Sequence, residues 1–293
     1  MKQTQRHEST TSRVEKVCET ASVTENPWQS LRQFTSARIG LGRAGVSLPT
    51  EEMLEFQLAH AQARDAVHTP LDVTALLAQL ATIRQATFPS APILLASQAK
   101  DRMHYLQRPD LGRRLQHSMR DLLSTYCSGP GKEYDLALVV VDGLSSKAVQ
   151  NNVTPFLAAL LEELTQDGQE WRLAPLSVVQ QGRVAIGDEV AESLRAKAVL
   201  VMIGERPGLS SPDSLGLYLT WAPRVGLTDA CRNCISNVRP MGLSFKEAAE
   251  RAFYLLRESR RKQLSGVHLK DRSDEHVIEH KNETENFLVN LFD

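Results

Sequence analysis

The chain of 293 residues has little of several features that would assign it to a class at once. Aromatic residues make up only 5%, which argues against a surface for stacking nucleic-acid bases. Its 34 Lys and Arg residues balance 35 Asp and Glu residues, so general electrostatic attraction to nucleic acids or membranes has no support. Four cysteines are too few for a disulfide scaffold in so long a chain.

Long apolar runs are also missing from the sequence. The longest runs, 136–141 and 198–203, are far shorter than the roughly 20 residues that span a bilayer. Residues 1–26 are polar and charged, without the apolar segment of a secretory signal. We therefore predict a cytoplasmic protein that binds neither nucleic acid nor membrane.

What is present indicates a globular protein with four segments of different texture. Hydrophobic residues are 42% of the chain, which is enough for a core, and the length suggests about two domains. The segments predicted are a flexible N-terminal tail (1–26), a mainly helical region without a convincing strand (27–130), a sheet domain (131–266) and a charged C-terminal tail (267–293). The turn-forming residues Ser128–Gly131 mark the predicted boundary between the helical region and the sheet domain.

Strand and helix patterns alternate in the sheet domain. Apolar runs at 136–141, 173–179, 198–203 and 215–221 predict strands, and helical patterns lie between them and over 244–263. A break in the first of these helices is expected near Pro155. The alternation is typical of a sheet covered on both faces. We predict an α/β fold in which a Rossmann-like, mostly parallel sheet domain is preceded by a helical N-terminal region.

Three of the predicted strands end in turns that contain glycine, at Asp142-Gly143, Gly182-Arg183 and Gly204-Glu205. The carboxyl ends of parallel strands share one edge of a sheet, where ligands of such sheets bind. Glycine lets the backbone approach a ligand closely, although tight turns alone would also explain it. The three turns together favour a ligand site at this edge.

A G-x-G-x-x-G match occurs at Gly40, Gly42 and Gly45. The dinucleotide version of this motif must follow a strand and open a helix, and no apolar strand pattern precedes it here. We therefore interpret the segment as a cationic turn, carrying Arg38 and Arg43, that braces a partner or a helix end.

Cys231 and Cys234 form a C-x-x-C pair. A structural zinc site needs four ligands, and the sequence offers no second pair nearby. A thioredoxin-like pair would open a helix after a strand, and the residues that follow do not predict one. We predict two ordinary thiols and no metal site.

The N-terminal tail contains the pattern of a short amphipathic helix. Val14, Val17, Cys18 and Ala21 form its apolar stripe. Ser12 and Glu15 have the spacing of a capping box. About three turns are too short to be stable alone. The alternatives are a plain flexible terminus and a helix that docks on a partner or a shell.

Six strings of the sequence, taken in order, closely resemble one enzyme family. They are TSARIGLGRAG at 35–45, RPDLGRRL at 108–115, DGLS at 142–145, QGRVAIGDEV at 181–190, GERPGLSSPDSL at 204–215 and CISN at 234–237. Each is weak alone, but together they resemble the small (light) subunit of ethanolamine ammonia-lyase. The resemblance covers about residues 27–267 and leaves out both tails.

The resemblance implies a carbon–nitrogen lyase that depends on adenosylcobalamin and converts ethanolamine to acetaldehyde and ammonia by a radical mechanism. In that family the large subunit holds the substrate, and the small subunit forms a wall against the cobalamin. The chain alone would then be inactive, with no catalytic residue of its own, as one part of a hetero-oligomer with the large subunit. Enzymes of this pathway are commonly packed into bacterial microcompartments, so a location there and a contact with the shell are also implied.

Three cofactor contacts carry over from the family to Val184, Glu205 and Cys234. For Glu205 the alternative is a salt bridge to a neighbour such as Arg206, and for Cys234 it is a small buried apolar role. No metal ligand is expected, because the D-x-H-x-x-G string of other cobalamin proteins is absent. Two other functions stay open, a cobalamin-holding or assembly subunit of a related aminoalcohol lyase and an NAD-dependent dehydrogenase.

Overall fold

The computed structural model describes residues 23–35, 37–83, 88–126 and 133–273 of the chain. The chain divides into two compact units between Ala59 and His60. In the described part of the N-terminal unit, a 3-10 helix covers Pro27–Phe34, and the side chain of Asn26 caps its start. Helix α1 (Thr50–His68) begins in this unit. None of the described helices combines the length and the apolar character needed to cross a bilayer.

The C-terminal unit alternates helices and strands. After α1, its elements in chain order are α2 (Val73–Leu80), β1 (Ile93–Ala96), α3 (Arg102–Gln107), α4 (His117–Tyr126), β2 (Tyr134–Val141), α5 (Ser146–Gln166), β3 (Ser177–Gln180), α6 (Ile186–Ser193), β4 (Ala196–Gly204), β5 (Leu215–Trp221), β6 (Arg232–Val238) and α7 (Phe245–Lys262). This alternation confirms the predicted α/β class. The boundary predicted at Ser128–Gly131 lies outside the described residues.

The six strands form one mixed sheet in the order β1-β3-β2-β4-β5-β6. Strands β1, β3, β2 and β4 are parallel, whereas β5 is antiparallel to both β4 and β6. The prediction of a Rossmann-like, mostly parallel sheet is therefore corrected to a mixed sheet. The physical reason is the connections: residues 205–214 and 222–231 contain no α-helix, and without a crossover helix the chain returns in the opposite direction.

Several elements differ from their prediction. The prediction that residues 27–130 contain no convincing strand is wrong, because β1 pairs with β3 and its residues Ile93 and Leu95 are buried. Strand β6 was not predicted, and β3 begins at Ser177 rather than at residue 173. The short or polar sequences of these strands give weak patterns.

Helix α5 is continuous through Pro155, so the predicted break is also wrong. A proline inside a helix costs about 3 kcal/mol. The next residues, Phe156, Leu157 and Leu160, are fully buried. Each large apolar side chain contributes about 1.5–3 kcal/mol when buried, so their packing outweighs the proline.

The core lies on both faces of the sheet. On one face α2, α5 and α7 pack over a cluster that includes Leu138, Val140, Leu200, Met202 and Leu217. On the other face α4 and α6 pack over a cluster that includes Val139, Val141, Val190, Val199 and Val201. Leu269, within the segment predicted as the C-terminal tail, is buried in the first cluster.

Two buried carboxylates with arginine partners fix α6 on its face of the sheet. Glu189 accepts a hydrogen bond of 2.8 Å from the backbone N–H of Leu115 and pairs with Arg114 and Arg120. Asp188 pairs with the buried Arg232 of β6. Beyond this pair, on the α6 side of β5 and β6, Tyr218 is half-buried and Cys234 is exposed. We call this part of the sheet, defined by Tyr218 and Cys234, the open face.

Candidate functional site

The chain changes its direction across the sheet between β2 and β4. From β2 it continues to β3 on one side, and from β4 it continues to β5 on the other. The carboxyl ends of two such strands form a crevice, where ligands of open α/β sheets bind. The segments at this point are Asp142–Ser145, after β2, and Gly204–Glu205, at the end of β4.

The glycines of these turns are required by close contacts within the protein. A Cβ atom on Gly143 would lie 2.2 Å from the carbonyl oxygen of Gly204, and one on Gly204 would lie 2.0 Å from the carbonyl oxygen of Ser145. Gly143 also has a φ of +59°. On Gly182 a Cβ would lie 2.5 Å from Cγ1 of Val141. These glycines are therefore explained by contacts between the turns themselves. A ligand at this edge would be bound by the side chains.

Asp142 fixes the turn that precedes Val184. Its buried carboxylate accepts hydrogen bonds from the backbone N–H groups of Gln181, at 2.8 Å, and Gly182, at 3.0 Å, and Arg102 lies 3.6 Å away. Burial raises the pKa of Asp142 to about 6, although the N–H of Gln181 and the Arg102 guanidinium oppose the shift. The carboxylate therefore holds this turn at a cost in desolvation.

Tyr105, which the sequence did not single out, holds the same turn from the other side. Its hydroxyl donates a hydrogen bond of 2.9 Å to the carbonyl oxygen of Gly182. The Arg183 guanidinium lies 4.4 Å from the centre of its ring, and the Arg183 N–H donates to the carbonyl oxygen of Gly112 at 2.7 Å. Val184 therefore follows a turn that is fixed at several points, and it packs half-buried against the cluster under α6.

The Glu205 carboxylate is oriented by its neighbours. Its Oε2 accepts hydrogen bonds from the Ser214 hydroxyl and, at 3.2 Å, from the Asn237 N–H. Its Oε1 lies over Gly216, where a Cβ atom would come within 2.9 Å. Among the ion pairs of the described residues, none joins Glu205 to Arg206. The residues that hold Glu205 come from the start of β5 and the end of β6, which sequence reasoning missed.

The loop that follows Glu205 is anchored to helix α5. The Ser145 hydroxyl donates a hydrogen bond of 2.8 Å to the carbonyl oxygen of Pro212, and the Asn152 side chain donates one of 2.7 Å to that of Asp213. The Arg239 guanidinium binds the side-chain oxygen of Asn237 at 2.9 Å. Both partners of the Glu205 carboxylate are thus held in place.

Cys234 lies on β6 directly opposite Tyr218 of β5. Cys234 is exposed, so the alternative interpretation of this residue as a small buried apolar side chain is wrong. Desolvation of its sulfur raises the pKa of the thiol, the nearby Tyr218 side chain opposes the rise, and the charge of Glu205 adds to it. Cys231 is a second free thiol at the end of a 3-10 helix. Within the described residues, no group of three or more His, Cys, Asp and Glu side chains could hold a metal ion.

The structure places the three predicted contact residues on one side of the sheet at different depths. Val184 follows β3, and Glu205 follows β4. Both lie at the edge formed by the carboxyl ends of the parallel strands, which we call the carboxyl edge. Cys234 lies further along the open face, close enough to Glu205 for its charge to act on the thiol. The arrangement presents an apolar side chain, a carboxylate acceptor and an uncharged thiol.

The glycine-rich segment of the N-terminal unit serves local packing. A Cβ atom on Gly40 would lie 2.6 Å from the backbone N of Gln29, and one on Gly42 would lie 2.7 Å from the carbonyl oxygen of Thr24. A 3-10 helix, and no strand, lies in the described residues before it. Arg38 donates a hydrogen bond of 3.3 Å to the carbonyl oxygen of Glu52, in the first turn of α1.

Comparison with known proteins identifies the family. Residues 25–270 match the family model described as ethanolamine ammonia-lyase light chain. The chain belongs to the ethanolamine ammonia-lyase light chain family. It is 56% identical over 259 residues to the ethanolamine ammonia-lyase small subunit of Ralstonia nicotianae, covering 88% of this chain and 93% of that protein. The small subunit of Pseudomonas aeruginosa is 57% identical over 266 residues, 90% of this chain and 95% of its own. That of Azotobacter vinelandii is 58% identical over 251 residues, 86% and 90% of the two chains. The resemblance seen in the sequence is confirmed.

The buried Asp142 should make stability depend on pH in a definite direction. Because burial raises its pKa from 3.8 to about 6, the folded chain binds more protons than the unfolded chain between these values. Its contribution to stability therefore falls as the pH rises through this window. Relative to Asp142→Asn, the wild type should lose about 2 kcal/mol of unfolding free energy between pH 4 and pH 6.5, measured by urea unfolding.

Asp110→Asn is the control for this measurement. Asp110 is exposed, and its hydrogen bond with Arg108 lowers the pKa of the carboxyl. The wild type should therefore gain stability relative to this variant as the pH rises. Parallel pH profiles for the wild type and Asp142→Asn would contradict the role given to Asp142.

Proposed function

We propose that this chain is the small subunit of an adenosylcobalamin-dependent ethanolamine ammonia-lyase, a lyase that acts on ethanolamine, and that its carboxyl edge and open face form one wall of the cofactor site. The observation that carries the proposal is the position of Glu205. In this chain, which belongs to the ethanolamine ammonia-lyase light chain family, Ser214 and Asn237 hold the Glu205 carboxylate in one orientation. It lies at the point where open α/β sheets bind ligands.

The side chains at this edge fit the chemistry of cobalamin. The rim of the corrin ring carries neutral amide side chains, and a carboxylate is a strong acceptor for their N–H groups. Glu205 would accept such a bond through Oε1, since Oε2 already accepts the bonds from Ser214 and Asn237. Val184 and Cys234 would contact the ligand as apolar and uncharged groups. When bound, adenosylcobalamin supplies the radical chemistry, and the protein supplies positioning and water exclusion.

The substrate site is proposed to lie in a partner large subunit. The described part of the N-terminal unit exposes several large apolar side chains, namely Trp28 at 67%, Phe34 at 79%, Leu54 at 59% and Leu58 at 60%. Exposed apolar surface of this kind is typical of protein–protein contacts. We propose that the chain supplies neither a catalytic residue nor a cobalt ligand, so that it is active only in the complex.

Replacing Glu205 should weaken cofactor binding. Glu205→Ala removes a charge-assisted acceptor worth about 1.5–3 kcal/mol, which corresponds to a roughly 10- to 100-fold loss of affinity. Adenosylcobalamin is titrated into the complex of both subunits and followed by its visible absorption. Glu205→Gln keeps the shape but not the charge, so its loss should be smaller.

The matched control for this titration is Glu250→Ala, which removes an exposed carboxylate on α7, on the opposite face of the sheet. It should leave the affinity unchanged. Equal affinities for Glu205→Ala and the wild type would exclude Glu205 as a contact. Stoichiometric binding of NAD, with no binding of cobalamin in the presence of the large subunit, would contradict the proposed function.

We further propose that the N-terminal tail docks the enzyme on the shell of a bacterial microcompartment in the cytoplasm. The stripe of Val14, Val17, Cys18 and Ala21 and the cap pair of Ser12 and Glu15 lie outside the described residues. A helix this short would fold only on docking, with low affinity per copy. Several copies in an oligomer would raise the overall affinity.

Deleting residues 1–22 should leave cobalamin affinity and turnover intact and reduce co-sedimentation with shells. The deletion stops before Thr24, whose N–H donates a hydrogen bond of 2.7 Å to the carbonyl oxygen of Arg43. Deleting residues 274–293, a charged segment of similar length, is the control and should not reduce co-sedimentation. If the enzyme without residues 1–22 sediments with shells as the wild type does, the docking role is wrong.

A further inference from the structure

Arg183 carries a positive charge at the carboxyl edge that the described residues do not neutralise. It belongs to the turn after β3 and directly precedes Val184. Its guanidinium takes part in none of the ion pairs of the described residues. Its Nε is buried and has no hydrogen-bond partner among them. Because the residue as a whole is only half-buried, it can still meet a ligand.

The Arg183 side chain is nevertheless held in one place. A Cβ atom on Gly112 would lie 3.0 Å from Cγ of Arg183 and 2.8 Å from Cε2 of Tyr105, so the glycine makes room for both side chains. The guanidinium carbon lies 4.4 Å from the centre of the Tyr105 ring. That ring is fully buried, and its hydroxyl is bonded to the carbonyl oxygen of Gly182. The cation is therefore oriented by an aromatic face, which leaves its charge in place.

A second guanidinium near the same ring leaves the local charge positive. The Arg102 guanidinium carbon lies 5.1 Å from the centre of the Tyr105 ring. Arg102 already has acceptors, since it lies 3.6 Å from the Asp142 carboxylate and donates a hydrogen bond of 2.7 Å to the carbonyl oxygen of Gly143. One carboxylate thus accompanies two cations in this part of the described chain. A partly desolvated cation without a counter-ion is costly, and an anionic ligand would remove the cost.

We propose that Arg183 binds the phosphodiester of the cofactor's nucleotide loop, so that the site favours complete cobalamins over corrinoids without that loop. The proposal rests on the proposed function, because it takes the carboxyl edge as a wall of the cofactor site. The phosphodiester is the anionic group at the periphery of adenosylcobalamin, whereas the amides of the corrin rim are neutral. A guanidinium binds two phosphate oxygens through parallel N–H bonds.

The strand order places Arg183 where such a contact is expected. Strand β3 lies two strands from β4 and four strands from β6. Neighbouring strands are about 4.8 Å apart, so the separations across the sheet are about 10 Å from β4 and about 19 Å from β6. The nucleotide loop hangs from one side of the corrin ring. Its anion therefore belongs at one end of the binding surface, with Glu205 nearer the middle and Cys234 at the other end.

The first experiment compares two corrinoids on the complex of both subunits. Adenosylcobinamide keeps the corrin ring and its amides but lacks the phosphodiester and the nucleotide base. Arg183→Gln should weaken adenosylcobalamin binding roughly 10- to 100-fold, the loss of a charge-assisted contact. It should leave the affinity for adenosylcobinamide unchanged, which also shows that the variant is folded. Glu205→Ala, by contrast, should weaken the binding of both corrinoids.

The matched control is Arg224→Gln, which removes an exposed arginine after β5, at the opposite edge of the sheet. It should change neither affinity.

The second experiment separates charge from geometry with adenosylcobalamin alone. Arg183→Lys keeps the positive charge but not the planar fork of donors. Its affinity should lie between those of the wild type and Arg183→Gln. This order tests the contact even where adenosylcobinamide binds the wild type too weakly to be measured.

The outcomes separate this inference from the proposed function. If the wild-type complex does not bind adenosylcobalamin, the proposed function fails and the inference fails with it. If the wild type binds and Arg183→Gln binds equally well, only the phosphodiester contact is wrong. Equal losses for the two corrinoids would also overturn it, because they would indicate that Arg183 pairs with the large subunit instead. Arg183→Lys binding no better than Arg183→Gln would contradict the use of the charge.

Discussion

Backbone contact between the turn after β2 and the end of β4 holds together the edge on which the candidate site stands. Gly143 and Gly204 approach so closely that neither position has room for a Cβ atom, and the Leu144 N–H donates a hydrogen bond of 2.9 Å to the carbonyl oxygen of Gly204. The contact fixes where β4 ends and therefore where Glu205 begins its loop. The position of Glu205 relative to Asn237 and Gly216 follows from it.

Two buried carboxylates position segments of the sheet domain rather than add to its stability. Asp142 and Asp188 both have a pKa raised to about 6, first of all by burial. Each is still held by specific partners, Asp142 by backbone N–H groups of the turn before Val184 and Asp188 by Arg232 of β6. Perturbed carboxylates of this kind are concentrated at functional sites, although structural ion pairs also produce them. Here they tie the segments that carry Val184 and Cys234 to the core.

The sequence predicted the elements whose apolar pattern is long and the positions of two candidate residues after strands. Strand β5 was predicted at its observed bounds, and α7 within a residue at each end. Val184 and Glu205 follow the ends of β3 and β4, as expected from the glycine-bearing turns. Strand β6 was missed because it is an edge strand in which exposed polar residues interrupt the apolar pattern.

The rest of the site depends on pairings that sequence spacing does not reveal. Tyr218 meets Cys234 only because β5 and β6 are antiparallel in one register. Ser214 and Asn237 reach Glu205 from segments 9 and 32 residues away. Tyr105 reaches Gly182 over 77 residues. Contacts of this range come from the topology of the sheet, and a single sequence gives the topology only weakly.

Hydrogen exchange of the two-subunit complex, measured with and without adenosylcobalamin, tests the central claim most directly. Bound cofactor should slow the exchange of backbone amides in 181–184, 204–216 and 232–238, the segments of the carboxyl edge and the open face. Residues 222–226, which follow β5 at the opposite edge, should be unchanged. Protection confined to the opposite edge or to residues 40–45, with none in the three segments, would contradict the account.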